Sequence, residues 1–174
     1  MKKIMELLQN MKAKNEKKDN KGFSLVELII VIAIMAILVG IVGTQVIPYI
    51  NKSKVAKDQQ VLNSISTAAV AAYSENGATG DVTITDVFTA IAGTDDTSKT
   101  AEAIRKGILS SSGFDTLDNF KKALGSDAGK VVTTVKVEFK AADHKVITSV
   151  TYSETGDKAP KYPINNVEAT LYFV

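Results

Sequence analysis

The chain has 174 residues, about the length of one domain and enough to bury a modest hydrophobic core. It contains no cysteine, which excludes disulfides, thiol catalysis, cysteine-ligated metals and a lipoprotein anchor. The formal net charge is +2, but residues 1–22 carry seven lysines against three acidic residues, so the rest of the chain is slightly acidic.

The basic segment, residues 1–22, leads directly into an apolar one. Basic residues that precede an apolar span stay on the cytoplasmic side of a membrane, which predicts that the C-terminal part faces outward. A lysine-rich arm can also bind nucleic acid, but this one has no arginine and no aromatic residue. We therefore do not expect a nucleic-acid partner.

Residues 23–50 form the apolar segment, and no charged residue occurs between Leu28 and Asn51. At a helical rise of roughly 1.5 Å per residue, this stretch extends about 36 Å, enough to cross the hydrocarbon core of a bilayer. Its length and composition predict a transmembrane helix.

A helical pattern continues through residues 51–75, now with polar residues on one side. Gly77 is the expected stop signal. Joined to the apolar segment, this pattern predicts one helix of about fifty residues, which Pro48 should bend or loosen. The apolar positions recur roughly three, four and seven apart, at Val55, Leu62, Ile65, Ala69 and Ala72.

Residues 78–129 are rich in Thr, Ser, Asp and Gly and contain three short helical patterns. Each pattern ends at a glycine, which is a common helix terminator. We expect helices over Asp86–Ala92, Ser98–Lys106 and Thr116–Leu124.

The C-terminal part alternates apolar and polar residues in three runs, residues 131–140, 146–153 and 167–174, and residues 141–144 read as a turn. Alternation with polar connections predicts an antiparallel meander. The long N-terminal helix can cover its apolar face, giving an α+β fold. We expect the core to include Leu62, Ile65, Val135, Val137, Phe139, Val150 and Leu171.

The most informative residues precede the apolar run, where residues 21–34 read K-G-F-S-L-V-E-L-I-I-V-I-A-I. A secretory signal peptide places small residues after its apolar core, whereas Gly22 lies before it. Glu27 is also unusual, because a carboxylate in a membrane helix costs about 2.5–3.5 kcal/mol at the bilayer centre and less toward the interface. Such a charge usually has a partner.

This segment resembles the class III signal of type IV prepilins, which has a basic residue and glycine, then phenylalanine, then glutamate four residues later. The resemblance implies cleavage between Gly22 and Phe23, methylation of the new amine of Phe23, and a role for Glu27 in assembly. It implies three parts: a removed leader (1–22), an apolar filament-core helix (23–50) and a globular domain (51–174). Many Gram-negative pilins close their C-terminal region with a disulfide, so the lack of cysteine favours a Gram-positive bacterium such as a clostridium.

The resemblance also implies the partners. These are a prepilin peptidase/methyltransferase, identical pilin subunits, and the assembly platform with its ATPase. The precursor would be a single-pass membrane protein with a cytoplasmic N-terminus, and the product an extracellular pilus for adhesion, motility or biofilm. A pseudopilin or minor pilin of a secretion or DNA-uptake machine shares the motif and remains an alternative. A membrane-anchored enzyme is a third, although residues 78–174 show no catalytic motif.

Two features have a second interpretation. Ser24 and Glu27 fit a capping box, so Glu27 could simply cap its own helix. Ala33, Ala36, Gly40 and Gly43 recur three and four apart, which suits close helix packing but is also common in membrane helices.

Metal, cofactor and catalytic sites are not expected. His144 is the only histidine and falls in the predicted turn, so nothing completes a site with it. The pairs Asp95-Asp96 and Ser126-Asp127 lack the spacing of a calcium loop, so we interpret them as solvated loop residues.

Overall fold

The computed structural model describes residues 5–6 and 24–172 of the chain. These residues form two compact units, one ending at Gln45 and one beginning at Val46.

The N-terminal unit is helical. Helix α1 spans Leu25–Ile41, and a π-helical turn follows at Val42–Val46. The hydroxyl of Thr44 donates a hydrogen bond to the carbonyl of Gly40, at 3.0 Å. Threonine bonding of this kind competes with the backbone ladder and is common where helices are irregular.

Helix α2 spans Ile47–Glu75 and begins the second unit, with Pro48 in its first turn. Because proline has no backbone N–H, Pro48 cannot donate a hydrogen bond to the preceding helical turn. The irregularity expected at Pro48 therefore lies just before it, in the π-helical turn. Asn76 is the C-cap residue of the helix, and Gly77 follows with φ +60°, as the stop signal predicts.

The sheet has four antiparallel strands in the order β1-β2-β3-β4. They are β1 Val82–Ile84, β2 Val132–Lys140, β3 Lys145–Tyr152 and β4 Val167–Thr170. The predicted meander is confirmed in β2, β3 and β4, with Val135 paired to Val150 across the first two. The run predicted over 167–174 is shorter than expected, because β4 ends at Thr170 and residues 171–172 are not in a strand. Strand β1 was not predicted, because three residues are too few to show a periodicity.

The core lies between α2 and the sheet. Tyr73 of α2 stacks on Phe139 of β2, with ring centroids 4.8 Å apart. Val150 is only half-buried, unlike the expectation, because it packs at the margin of the core. The other expected core residues are buried, namely Leu62, Ile65, Val135, Val137, Phe139 and Leu171.

Helix α3 spans Asp96–Ser112, so the predicted end at Lys106 is wrong. Gly107 lies inside the helix, where α3 packs on α2. A Cβ atom at Gly107 would lie 2.8 Å from the Cβ of Ala72, closer than real contacts allow. The glycine serves this close approach, and the helix ends instead at Gly113, which has φ +77°.

The helix predicted over Asp86–Ala92 is absent, because the side chain of Asp86 organises a turn. Its carboxylate accepts hydrogen bonds from the backbone N–H of Phe88 and Val135 and from the hydroxyl of Thr89. Aspartate commonly replaces helical hydrogen bonds in this way. The helix predicted over Thr116–Leu124 is confirmed, since α4 spans Leu117–Ala123 with Thr116 as its N-cap.

Asp58 of α2 is fully buried and connects distant parts of the chain. Its two carboxylate oxygens accept hydrogen bonds from the N–H groups of Gly125 and Ser126, at 2.7 and 3.0 Å. These groups precede the short helix α5, Asp127–Lys130. A buried carboxylate is stable only with such partners, so Asp58 fixes the position of this segment.

A second contact, which is partly buried, joins α3 to the segment after β1. Glu102 makes two hydrogen bonds of 2.7 Å with the guanidinium of Arg105 and accepts another from the N–H of Ile91. Arg105 also donates to the carbonyl of Val87. The hydrogen bond from Arg105 is the main cause that lowers the pKa of Glu102 to about 2.

We expect Asp58→Ala to lower the free energy of unfolding of the C-terminal unit by about 2–4 kcal/mol, because the part-buried N–H of Gly125 and the buried N–H of Ser126 lose their acceptor. Denaturant unfolding of the detergent-solubilised chain can be followed by tyrosine fluorescence, since all five tyrosines follow Val46. The control Asn63→Ala removes an exposed polar side chain from the same helix and should change stability by less than about 0.5 kcal/mol. Equal effects of the two substitutions would contradict the role of Asp58.

The lowered pKa of Glu102 predicts a pH dependence. Because the folded-state value lies below the unfolded value of 4.5, the stabilisation is present above about pH 4.5 and is lost as pH falls toward 2. Glu102→Gln should therefore be less stable than the wild type at neutral pH, and the difference should shrink in acid. Denaturant unfolding of both proteins between pH 7 and pH 2 measures this difference in the free energy of unfolding. A difference that stays constant over this pH range would refute the prediction.

Candidate functional site

The predicted processing and assembly site lies partly outside the residues that the structure describes. Gly22 and Phe23, the expected cleavage and methylation residues, are outside them. Ser24, Glu27 and the apolar helix are inside them.

Ser24 and Glu27 form a capping box at the start of α1. The hydroxyl of Ser24 accepts a hydrogen bond from the N–H of Val26, at 3.3 Å. One carboxylate oxygen of Glu27 accepts from the N–H of Ser24, at 2.9 Å. Both interactions satisfy N–H groups that the first helical turn leaves without an intrahelical acceptor, and a carboxylate also favours the positive end of the helix dipole.

The side chains of α1 are exposed throughout, and no residue of the helix is buried. Its large apolar side chains are between 46% exposed, at Ile41, and 73% exposed, at Leu25. Within the described residues, the helix Leu25–Glu75 is long and apolar enough to cross a membrane, by length and composition. A continuous apolar surface of this kind marks a site of contact with a membrane or with another protein.

Ala33, Ala36, Gly40 and Gly43 form the small-residue stripe of this unit, and its two glycines face open space. A Cβ atom added at Gly40 or Gly43 would meet no atom within 4 Å. Open space is expected whether the stripe serves close helix packing or only reflects the composition of membrane helices. A role in helix packing therefore stays a prediction.

The other candidate residues have structural roles. Asp95 caps α3 by accepting from the N–H of Ser98, and Ser126 caps α5 by accepting from the N–H of Gly129. His144 lies in the β2–β3 turn with φ +50°, and its carbonyl accepts from the N–H of Leu171. No group of three His, Asp or Glu side chains among residues 5–6 and 24–172 is arranged to hold a metal ion.

Sequence reasoning missed the structural role of Asp58. A signal was present, because Asp58 falls between Val55 and Leu62 in the buried face of α2, at helical spacing. A charged residue on an apolar face usually has a specific partner.

A comparison with protein families matches residues 17–43 to the prokaryotic N-terminal methylation motif. This motif is the signature of type IV prepilins. The match covers the segment from the end of the basic leader to the π-helical turn, including Gly22, Phe23 and Glu27. No curated protein and no solved structure matches the chain.

The prepilin signature agrees with the fold. A long N-terminal helix followed by a four-stranded antiparallel sheet is the α+β layout of a type IV pilin. Motif and fold together indicate a structural subunit of the pilin or pseudopilin type rather than an enzyme. They also imply processing by a prepilin peptidase and handling by an assembly machinery, and they fit a membrane-anchored precursor.

Proposed function

We propose that this chain is the structural subunit of a type IV pilus. The precursor is cut after Gly22, methylated at the amine of Phe23, and polymerised through its N-terminal helix into a surface filament. The observation that carries the proposal is a fully exposed apolar helix that begins within the methylation motif and has one carboxylate, Glu27, in its first turn.

The exposed apolar surface of α1 must be shielded from water both in the precursor and in the filament. In the precursor the bilayer supplies it, with the basic leader on the cytoplasmic side. After cleavage, the corresponding helices of other subunits replace the lipid. Adhesion, motility and biofilm formation are the roles that such a filament would serve.

Cleavage creates a cation that complements Glu27. The amine of Phe23 becomes positively charged four residues before a carboxylate that is destined for an apolar filament core. An unpaired charge there is unfavourable, whereas a paired one is tolerated. Pairing between the Glu27 of one subunit and the Phe23 amine of its neighbour would select one axial register.

The proposal divides the chain into three parts. Residues 1–22 are the removed leader, residues 23–50 the filament-core helix, and residues 51–174 the globular domain. The partners are the prepilin peptidase/methyltransferase, identical subunits, and the assembly platform with its ATPase. The final location is extracellular.

The first test concerns processing. The mature chain should begin at methylated Phe23, and Gly22→Val should leave uncut precursor in the membrane, because a branched side chain replaces the glycine that ends the leader. Mass spectrometry of the N-terminal peptide measures both, from sheared surface filaments for the wild type and from the membrane fraction for Gly22→Val. A different mature start would refute this cleavage site, and absence of the chain from surface filaments would favour a pseudopilin.

The second test separates assembly from capping. If Glu27 pairs with a neighbour, Glu27→Ala and Glu27→Gln should both be cleaved but not assembled, because neither has a negative charge. Ser24→Ala is the matched control, since it removes the other half of the capping box and keeps the carboxylate. It should still assemble.

Processed subunit in membranes and filament in the sheared fraction are the two quantities to compare. Normal filaments from both Glu27 variants would refute the assembly role. Equal loss of filaments in Ser24→Ala would assign the effect to helix capping.

A further inference from the structure

The start of α2 changes from apolar to basic within a few residues. Ile47, Tyr49 and Ile50 are exposed, with Tyr49 78% exposed, and Lys52, Lys54 and Lys57 follow and are also exposed. Tyrosine is enriched at the interface between membrane and water. This order places the end of the apolar surface, an interfacial aromatic residue and three cations in sequence along one helix.

The three lysines lie on different sides of the helix. At about 100° per residue, Lys54 is rotated about 200° and Lys57 about 140° from Lys52. The buried residue Val55 occupies the remaining side, at about 300°. The cations therefore cover all the exposed sides of α2 at this level.

Folding brings a fourth lysine to the buried side. Lys161, from the segment between β3 and β4, lines a cavity of about 320 Å³ together with Lys52 and Val55. It is exposed, as are the other three. We call the set Lys52, Lys54, Lys57 and Lys161 the lysine collar.

The collar keeps a net positive charge. None of its four members forms an ion pair with any other residue that the structure describes. Of the nearby carboxylates, Asp58 is buried against two N–H groups and Asp127 pairs with Lys130 at 2.7 Å. Glu154 lines a neighbouring cavity with Lys161, but one carboxylate cannot neutralise four positive charges.

We propose that the lysine collar docks the C-terminal unit on the anionic headgroups of the outer leaflet before assembly. A neighbouring protein would contact one side of α2, whereas a membrane surface crossed by the helix meets all sides at one level, as the collar does. Lys57 lies about 10 Å along the axis from Ile50, within roughly one Debye length of the membrane surface. Lysines so placed attract anionic lipid.

This inference rests on the proposed membrane-anchored precursor but not on filament formation. The full chain should be reconstituted at low density in vesicles of phosphatidylcholine alone or with phosphatidylglycerol. Because the chain has no cysteine, Ser53→Cys gives a single fluorophore site beside the collar. Quenching by a headgroup-attached quencher then measures docking.

We expect stronger quenching on the anionic vesicles and a loss of the difference at high salt. Replacing all four collar lysines by glutamine should abolish the difference, since each lysine contributes roughly fivefold to the docking equilibrium, or about 1 kcal/mol. The matched control replaces Lys99, Lys106, Lys122 and Lys140, which are exposed elsewhere on the unit, and should keep it.

Four results would overturn the proposal. Equal quenching on both lipids by an inserted chain would refute the collar proposal but not the membrane-anchored precursor. A collar variant that is quenched like the control variant would do the same. A collar variant with unchanged docking but fewer filaments would assign the lysines to a contact between subunits. A chain that resists insertion refutes the membrane-anchored precursor and the collar together.

Discussion

The apolar surface of α1 is the constraint on which the rest of the structure depends. A helix whose large side chains are about half exposed or more is not a stable surface in water, so it must be covered by lipid or by other copies. The helix therefore contributes nothing to the core of its own chain. Among the residues that the structure describes, the core belongs to the unit that begins at Val46, in which α2 packs on the sheet.

Helix α2 meets a different requirement from α1. Only one face is apolar, and that face holds the sheet through Tyr73, α3 through Ala72, and the start of α5 through Asp58. The opposite face is free to be polar. After an exposed apolar first turn, α2 carries the lysines that we propose contact the membrane surface.

The sequence predicted what depends on local periodicity. The apolar run, the amphipathic pattern of α2 and the alternation of β2 and β3 each appear within a window of about ten residues, and all three are confirmed. The errors at Asp86 and Gly107 have another cause. Asp86 contacts Val135, and Gly107 contacts Ala72, so their conformations are set by residues far along the chain. The hydrogen bond of Asp58 to Gly125 spans 67 residues and is invisible to any local pattern.

The geometry of the capping box allows Glu27 both to cap α1 and to pair with a neighbouring subunit. One oxygen of its carboxylate accepts from the N–H of Ser24, and the other accepts no hydrogen bond from a residue in the described part of the chain. A carboxylate has room for several donors. The oxygen that does not cap is therefore available to the amine of a neighbouring Phe23, and pairing would not require the first turn of α1 to unwind. In the proposed filament, the cap would keep the helix intact up to the point where the two charges meet.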